Sequence, residues 1–85
     1  MNASGISDGL RLANVEFAGD KLIARFSNGS AVSLNVDRYP RLQNATPAQR
    51  NNWRLIGKGS GVHWQSLDED LSVENFLFAS AKVTA

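Results

Sequence analysis

The stretch KLIARFSNGSAVSLN, Lys21 to Asn35, decides how this chain begins to fold. Leu22, Ala24 and Phe26 alternate with Lys21, Ile23, Arg25 and Ser27, the period of two that marks a β-strand with one apolar face. Asn28-Gly29 then signals a hairpin. A two-residue loop would pair Phe26 with Ala31 and leave Val32 and Leu34 on the face opposite Phe26. A three-residue loop, Ser27-Asn28-Gly29, pairs Phe26 with Ser30, Ala24 with Val32 and Leu22 with Leu34. Only the second register gathers the larger apolar side chains on one face, and the buried face sets register. Gly29 is therefore expected in the left-handed region, closing a type I turn with a bulge.

Upstream, Leu10 to Phe17 alternate less regularly, with Ala13, Val15 and Phe17 assigned to one side, and Gly19-Asp20 makes a turn. Downstream, Pro40 holds Tyr39 extended and blocks a helix at that position. Thr46 is a helix N-cap, Pro47 suits the first helical position and Gln49 completes a T-x-x-Q capping box. The expected helix runs from Pro47 to about Ile56, with Gly57 as its left-handed C-cap. Trp53 and Ile56 would face the sheet, while Arg50 and Arg54, one turn apart, would share another face. Val62, His63 and Trp64 form a short strand with Trp64 inward and His63 outward. Ser72 caps a last helix over roughly Val73 to Ala79, and Leu71 with Phe76 makes a hydrophobic staple.

The segment GKGSGVHWQSLDEDLS, Gly57 to Ser72, looks most like chemistry. A phosphate loop leaves a strand and enters a helix, so that free amides meet the phosphate. Here the glycines follow an expected helix and lead into a strand, and the G-x-x-x-x-G-K-[ST] spacing is absent. They read as a sharp turn. His63 is the only histidine and there is no cysteine, too few ligands for the usual zinc sites. Asp68, Glu69 and Asp70 could hold a hard cation, yet an acidic loop before a helix is favourable without one. Ser60, His63 and Asp68 lack any nucleophile elbow. Asp68 is placed to close a side-chain turn onto Asp70 or Leu71. No catalytic residues, metal or cofactor are assigned, and the chain is not read as an enzyme.

Bulk properties are those of one small globular domain: 85 residues, 42% hydrophobic, 20% charged. The absence of cysteine fits a reducing compartment. The polar start MNASGISDG is no secretory signal, and no apolar run approaches a membrane span. A cytoplasmic protein without membrane association is expected. The net charge of +1 hides an asymmetry. Arg38, Arg41, Arg50, Arg54 and Lys58 fall in a stretch without acids, whereas Asp68 to Glu74 carries four acids and no base. The five basic residues are the binding candidates.

The segments FSNGSAVSLNVDRYPRL (Phe26–Leu42) and ATPAQRNNWRLIGKGSGVHWQSLDEDLSVENFL (Ala45–Leu77) resemble the small bacterial proteins of domain of unknown function family 2442. Many relatives carry proline after the tryptophan, where this chain has Gln65. The family has no settled activity. Some relatives are joined to a helix-turn-helix DNA-binding domain, for which this chain has no room, and others stand beside small partner proteins in toxin–antitoxin-like arrangements. The resemblance implies an α+β fold and an accessory, protein-binding role, and supplies no catalytic residues.

The combined expectation is an α+β domain over residues 10–79, with a flexible tail at 1–9 and another at 80–85. A small, mostly antiparallel sheet from residues 10–17, 21–27, 30–36 and 62–64 carries two short helices packed on one face. Leu22, Ala24, Phe26, Val32, Leu34, Trp53, Ile56, Trp64, Phe76 and Leu77 form its core. The functional expectation is a protein-interaction module, the partner-binding half of a toxin–antitoxin-like pair. The alternative is nucleic-acid binding through Arg38 to Lys58, and self-association stays open.

Overall fold

Strands β1 (Leu12–Ala18), β2 (Lys21–Phe26) and β3 (Ala31–Asn35) form an antiparallel meander in a computed structural model that describes residues 9–82. The β2–β3 hairpin has the expected register. Leu22 pairs with Leu34 and Ala24 with Val32. Phe26 N–H donates to Ser30 O at 2.9 Å, Gly29 N–H donates to Phe26 O at 3.0 Å, and Gly29 has φ +93°. The Asn28 side chain fastens the loop by accepting from Ser30 N–H at 3.0 Å.

The β1–β2 ladder corrects one expected face. Leu12 pairs with Phe26 and Asn14 with Arg25, so Ala13 is an extra, bulged residue. The bulge turns Leu12 and Val15, three apart, into the core and leaves Ala13 exposed. Regular alternation from Ala13 could not have placed Leu12 inside.

After β3 the chain makes a 3-10 turn at Val36–Arg38 and a short helix α1 (Pro40–Gln43), with Tyr39 extended before the proline at φ −128°. Helix α2 (Pro47–Arg50) starts as expected. Thr46 Oγ1 accepts from Gln49 N–H at 3.1 Å, and Gln49 Oε1 accepts from Thr46 N–H at 2.9 Å. It ends after one turn, not at Ile56. Asn51 closes it, and Trp53–Ile56 is strand β4. Asn51-Asn52 is a poor continuation of a helix. The residues that follow alternate half-buried Trp53 and Leu55 with exposed Arg54 and Ile56. Ile56, expected in the core, is 38% exposed.

Strands β4, β5 (Gly61–Trp64) and β6 (Glu69–Ser72) form a second antiparallel sheet in that order. The expected single sheet with both helices on one face is therefore two three-stranded sheets, still within the α+β class. Gly57, Lys58 and Gly59 turn the chain between β4 and β5, and all three have positive φ: 58°, 57° and 92°. Gly57 is thus part of a hairpin turn rather than a helix cap. A Cβ at Gly59 would lie 2.9 Å from Leu12 O, so this turn also docks tightly against the start of β1.

Asp68 follows a 3-10 turn at Gln65–Leu67 in the left-handed conformation, φ 54°. Its carbonyl accepts from Arg41 Nη1 at 2.6 Å, while its carboxylate makes no hydrogen bond to Asp70 or Leu71. The expected side-chain turn is replaced by backbone geometry. Ser72 caps helix α3 (Val73–Lys82): Ser72 Oγ accepts from Asn75 N–H at 3.1 Å, and Asn75 Oδ1 accepts from Ser72 N–H at 2.8 Å. Helix α3 passes the expected end at Ala79, so residues 80–82 are helical rather than tail; residues 1–8 and 83–85 lie outside the described residues.

The core joins both sheets to α3. Leu12, Val15, Leu22, Ala24, Phe26 and Leu34 come from the first sheet, Val62, Trp64 and Leu71 from the second, and Val73, Phe76 and Ala79 from the helix. Val36 and Leu42 complete it from the connection, and Val32, Trp53 and Leu77 pack at its margin. Trp64 is wholly buried and meets Phe17 edge-on, with ring centroids 6.3 Å apart.

Candidate interaction surface

The five basic candidates divide by what their side chains do. Arg50, at the end of α2, serves the fold. Its Nε donates to Leu42 O at 2.9 Å, Nη2 to Gln43 O at 3.1 Å and Nη1 to Gly19 O at 3.4 Å. The guanidinium lies 5.4 Å from the centre of the Phe17 ring, a cation–π distance. Its own carbonyl accepts from Trp64 Nε1 at 2.9 Å. One residue thus ties the end of α1, the β1–β2 turn and the tryptophan of the second sheet. A rigid fork with several donors can do this, and an ammonium cannot.

Arg41 is partly engaged in the same way. It donates to Asp68 O and stands 4.0 Å from Glu69 Oε1. Next to it, burial pushes the Tyr39 hydroxyl above its ordinary value; Arg38 pulls it down less, and Glu69 adds a smaller upward push.

Arg38, Arg54 and Lys58 are exposed, and among the described residues no hydrogen bond or ion pair engages their side chains. Arg54 lies on β4, not one helical turn from Arg50. The expected shared helical face of Arg50 and Arg54 does not exist. Lys58 sits at the tip of the β4–β5 turn.

Arg54 belongs to a charged row across the second sheet. It pairs with His63 on β5, which pairs with Asp70 on β6. Directly opposed residues share a face, so all three side chains point away from the face that carries Trp64 and Val62. His63 Nδ1 bonds Asp70 Oδ1, and the side chains are 22% and 68% exposed. Trp64 inward and His63 outward is the expected arrangement, and cross-strand pairing supplies the acid that adjacency in sequence could not single out. Ile56 lies on the same outer face, its Cγ1 within 3.4 Å of where a Gly61 Cβ would stand. This exposed isoleucine was missed because a helix through Ile56 puts it inside. The signal for it was the alternation Trp53-Arg54-Leu55-Ile56.

Among the described residues no three His, Asp, Glu or Cys side chains gather as a metal group. An open cleft of about 320 Å³ is lined by Phe17, Gly19, Pro47, Arg50 and Asn51. A smaller one is lined by Asp20, Asn35, Val36, Asp37 and Gln43. Neither contains His63 or the Asp68–Asp70 run. No helix of the described residues is long and apolar enough to cross a membrane.

The family model described as "Protein of unknown function (DUF2442)" matches residues 12–82. A protein of unknown function from Rhodospirillum rubrum ATCC 11170, whose crystal structure has been determined, is similar to this chain with a TM-score of 0.72 and 24% sequence identity. The likeness covers 85% of this chain and 89% of that one, and it supports the two-sheet α+β fold. Comparison with curated proteins returns no match.

Proposed function

The chain belongs to the family of proteins of unknown function DUF2442, a description that assigns no activity, and we propose that it works as a non-catalytic protein-interaction module, the partner-binding half of a two-protein system. The observation that carries this reading is the division among its polar side chains. Arg50 and Arg41 spend donors on backbone carbonyls inside the domain, and His63 bonds Asp70 across two strands of an exposed sheet face. Two of the three exposed basic side chains without a partner among the described residues, Arg54 and Lys58, lie with the exposed Ile56 on one strand and its turn rather than in a cleft, while Arg38 lies in the Val36–Arg38 turn and the other large exposed hydrophobic, Phe78, on α3. Such a surface suits a macromolecular partner better than a small substrate.

The test is affinity purification of the tagged full chain from its native host under mild salt, repeated with Ile56→Asp. A specific partner that is recovered with the wild-type chain and lost with the variant is the expected result. Recovery of no specific partner sinks the reading. The acid-free stretch from Arg38 to Lys58 supports nucleic-acid binding as the second reading, through its exposed members Arg38, Arg54 and Lys58. Fluorescence anisotropy with duplex and single strands decides it, because phosphate-driven binding must appear at low salt and fall steeply as salt rises.

A further inference from the structure

We propose that strand β4 accepts an extended acidic segment of a partner protein as a fourth strand of the second sheet; this rests on the interaction-module reading and names its surface. β4 is an edge strand, hydrogen-bonded to β5 alone. Among the described residues no other backbone–backbone hydrogen bond involves Trp53, Arg54, Leu55 or Ile56, and the one side chain that bonds this backbone is Ser60, whose hydroxyl donates to Ile56 O at 3.5 Å from within the β4–β5 turn. The N–H and C=O groups on its free side are therefore available to an added strand, which gains affinity from the main chain and selectivity from alternate side chains.

The other edges differ. β1 carries the Ala13 bulge and is approached by Gly59 at Leu12. β3 and β6 lie against α3, and the residue that opens β6 is held through Arg41 and the Asp68 carbonyl.

Charge selects the occupant. β4 and its turn carry Arg54 and Lys58, both exposed, and the whole stretch from Arg38 to Lys58 has no acid. Pairing β4 with β4 of a second copy would bring the Arg54 and Lys58 cations of both copies together, with the only acid of that row, Asp70, two strands away and bonded to His63. The chain's own acidic run, Asp68 to Asp70, is already built into β6 and the turn before it. A strand with Glu or Asp at alternate positions meets Arg54 across the pair, where opposite charges are favourable and like charges are not.

The probe is a soluble eight-residue peptide alternating Glu with Thr and Val, titrated into the labelled full chain by two-dimensional NMR. The expected result is saturable shift changes confined to the amides of residues 53–56 and their β5 neighbours, with those of β3 unmoved. A peptide with Gln in place of Glu should bind at least tenfold more weakly. Arg54→Glu should weaken the Glu peptide at least tenfold and admit a Lys-for-Glu peptide instead. Changes that map to another edge, equal binding of the Glu and Gln peptides, or no change at millimolar peptide would each overturn the proposal. So would self-association through β4 in sedimentation experiments. A native partner captured equally by wild type and Arg54→Glu would leave the module reading standing and remove this one.

Discussion

The two sheets of this small domain are built on different physical footings. In the first, β2 and β3 are joined by a three-residue loop whose Asn28 and Gly29 fix the turn, and strict alternation then fixes the register. In the second, each strand has four residues, and the turns need positive φ at Lys58 and Asp68, residue types that advertise it far less than glycine does. That sheet takes its place from groups distant in sequence: Arg50 accepts the Trp64 N–H, Phe17 meets the Trp64 ring, and Gly59 abuts Leu12. A strand of four residues has few neighbours of its own, so its stability is mostly borrowed from tertiary contact.

The largest test of this contrast is Trp64→Ala. Trp64 is the largest wholly buried side chain, and its loss leaves a cavity and an unpaired Arg50 carbonyl. A cost of about 4 kcal/mol is expected. Set against a total of about 5–10 kcal/mol for a domain of this size, the variant is barely folded, as urea denaturation should register.

Arg50→Ala should cost about 2 kcal/mol, because several charge-assisted bonds to carbonyls go at once. The loss should be uneven. Hydrogen exchange of the β4–β6 amides should quicken more than that of β2 and β3. Arg50→Lys should restore less than half of the stability, since an ammonium cannot reach the Leu42, Gln43 and Gly19 carbonyls together. Equal protection losses in both sheets would erase the contrast.

Two turn substitutions sharpen it at about 1 kcal/mol each, the scale of a left-handed residue with a Cβ. Gly29→Ala should destabilise by that amount, although a Cβ there meets no atom within 4 Å, because its φ is +93°. Asp68→Gly should stabilise by up to the same amount, since Asp68 holds φ 54° and among the described residues its side chain makes no hydrogen bond. Had the Asp68 carboxylate closed the turn, as its position in sequence led one to expect, glycine would destabilise instead. Thermal melts of the two variants decide between the explanations.

The smallest expected effect is confined to alkaline pH. Burial raises the Tyr39 hydroxyl above 10.0, so the unfolded chain loses that proton first. Stability from this residue is complete below the unfolded value and falls as pH rises through the folded one. Tyr39→Phe should flatten the decline of stability above about pH 10 relative to wild type and leave the neutral region nearly unchanged. Because Tyr39 is only half-buried, the effect is modest.

Features that depend on neighbours a few residues apart were legible before folding. The β2–β3 register, the Thr46–Gln49 capping box, the Ser72 cap and the inward Trp64 all follow from short-range pattern and from side chains that satisfy nearby backbone groups. Tertiary structure alone decided that Trp53–Ile56 is a strand. A spacing of three between apolar residues suits a helix, and one of two suits a strand; the segment offers both through Ile56 and Leu55. Pairing with β5 settled the matter in favour of Leu55, putting Arg54 beside His63 and leaving Ile56 in solvent. The same pairing broke the expected Arg50–Arg54 face and made one arginine a tie within the fold and the other part of an open edge. Local pattern cannot choose between two periods that both bury something, and the energy that chooses comes from a partner strand across the turn.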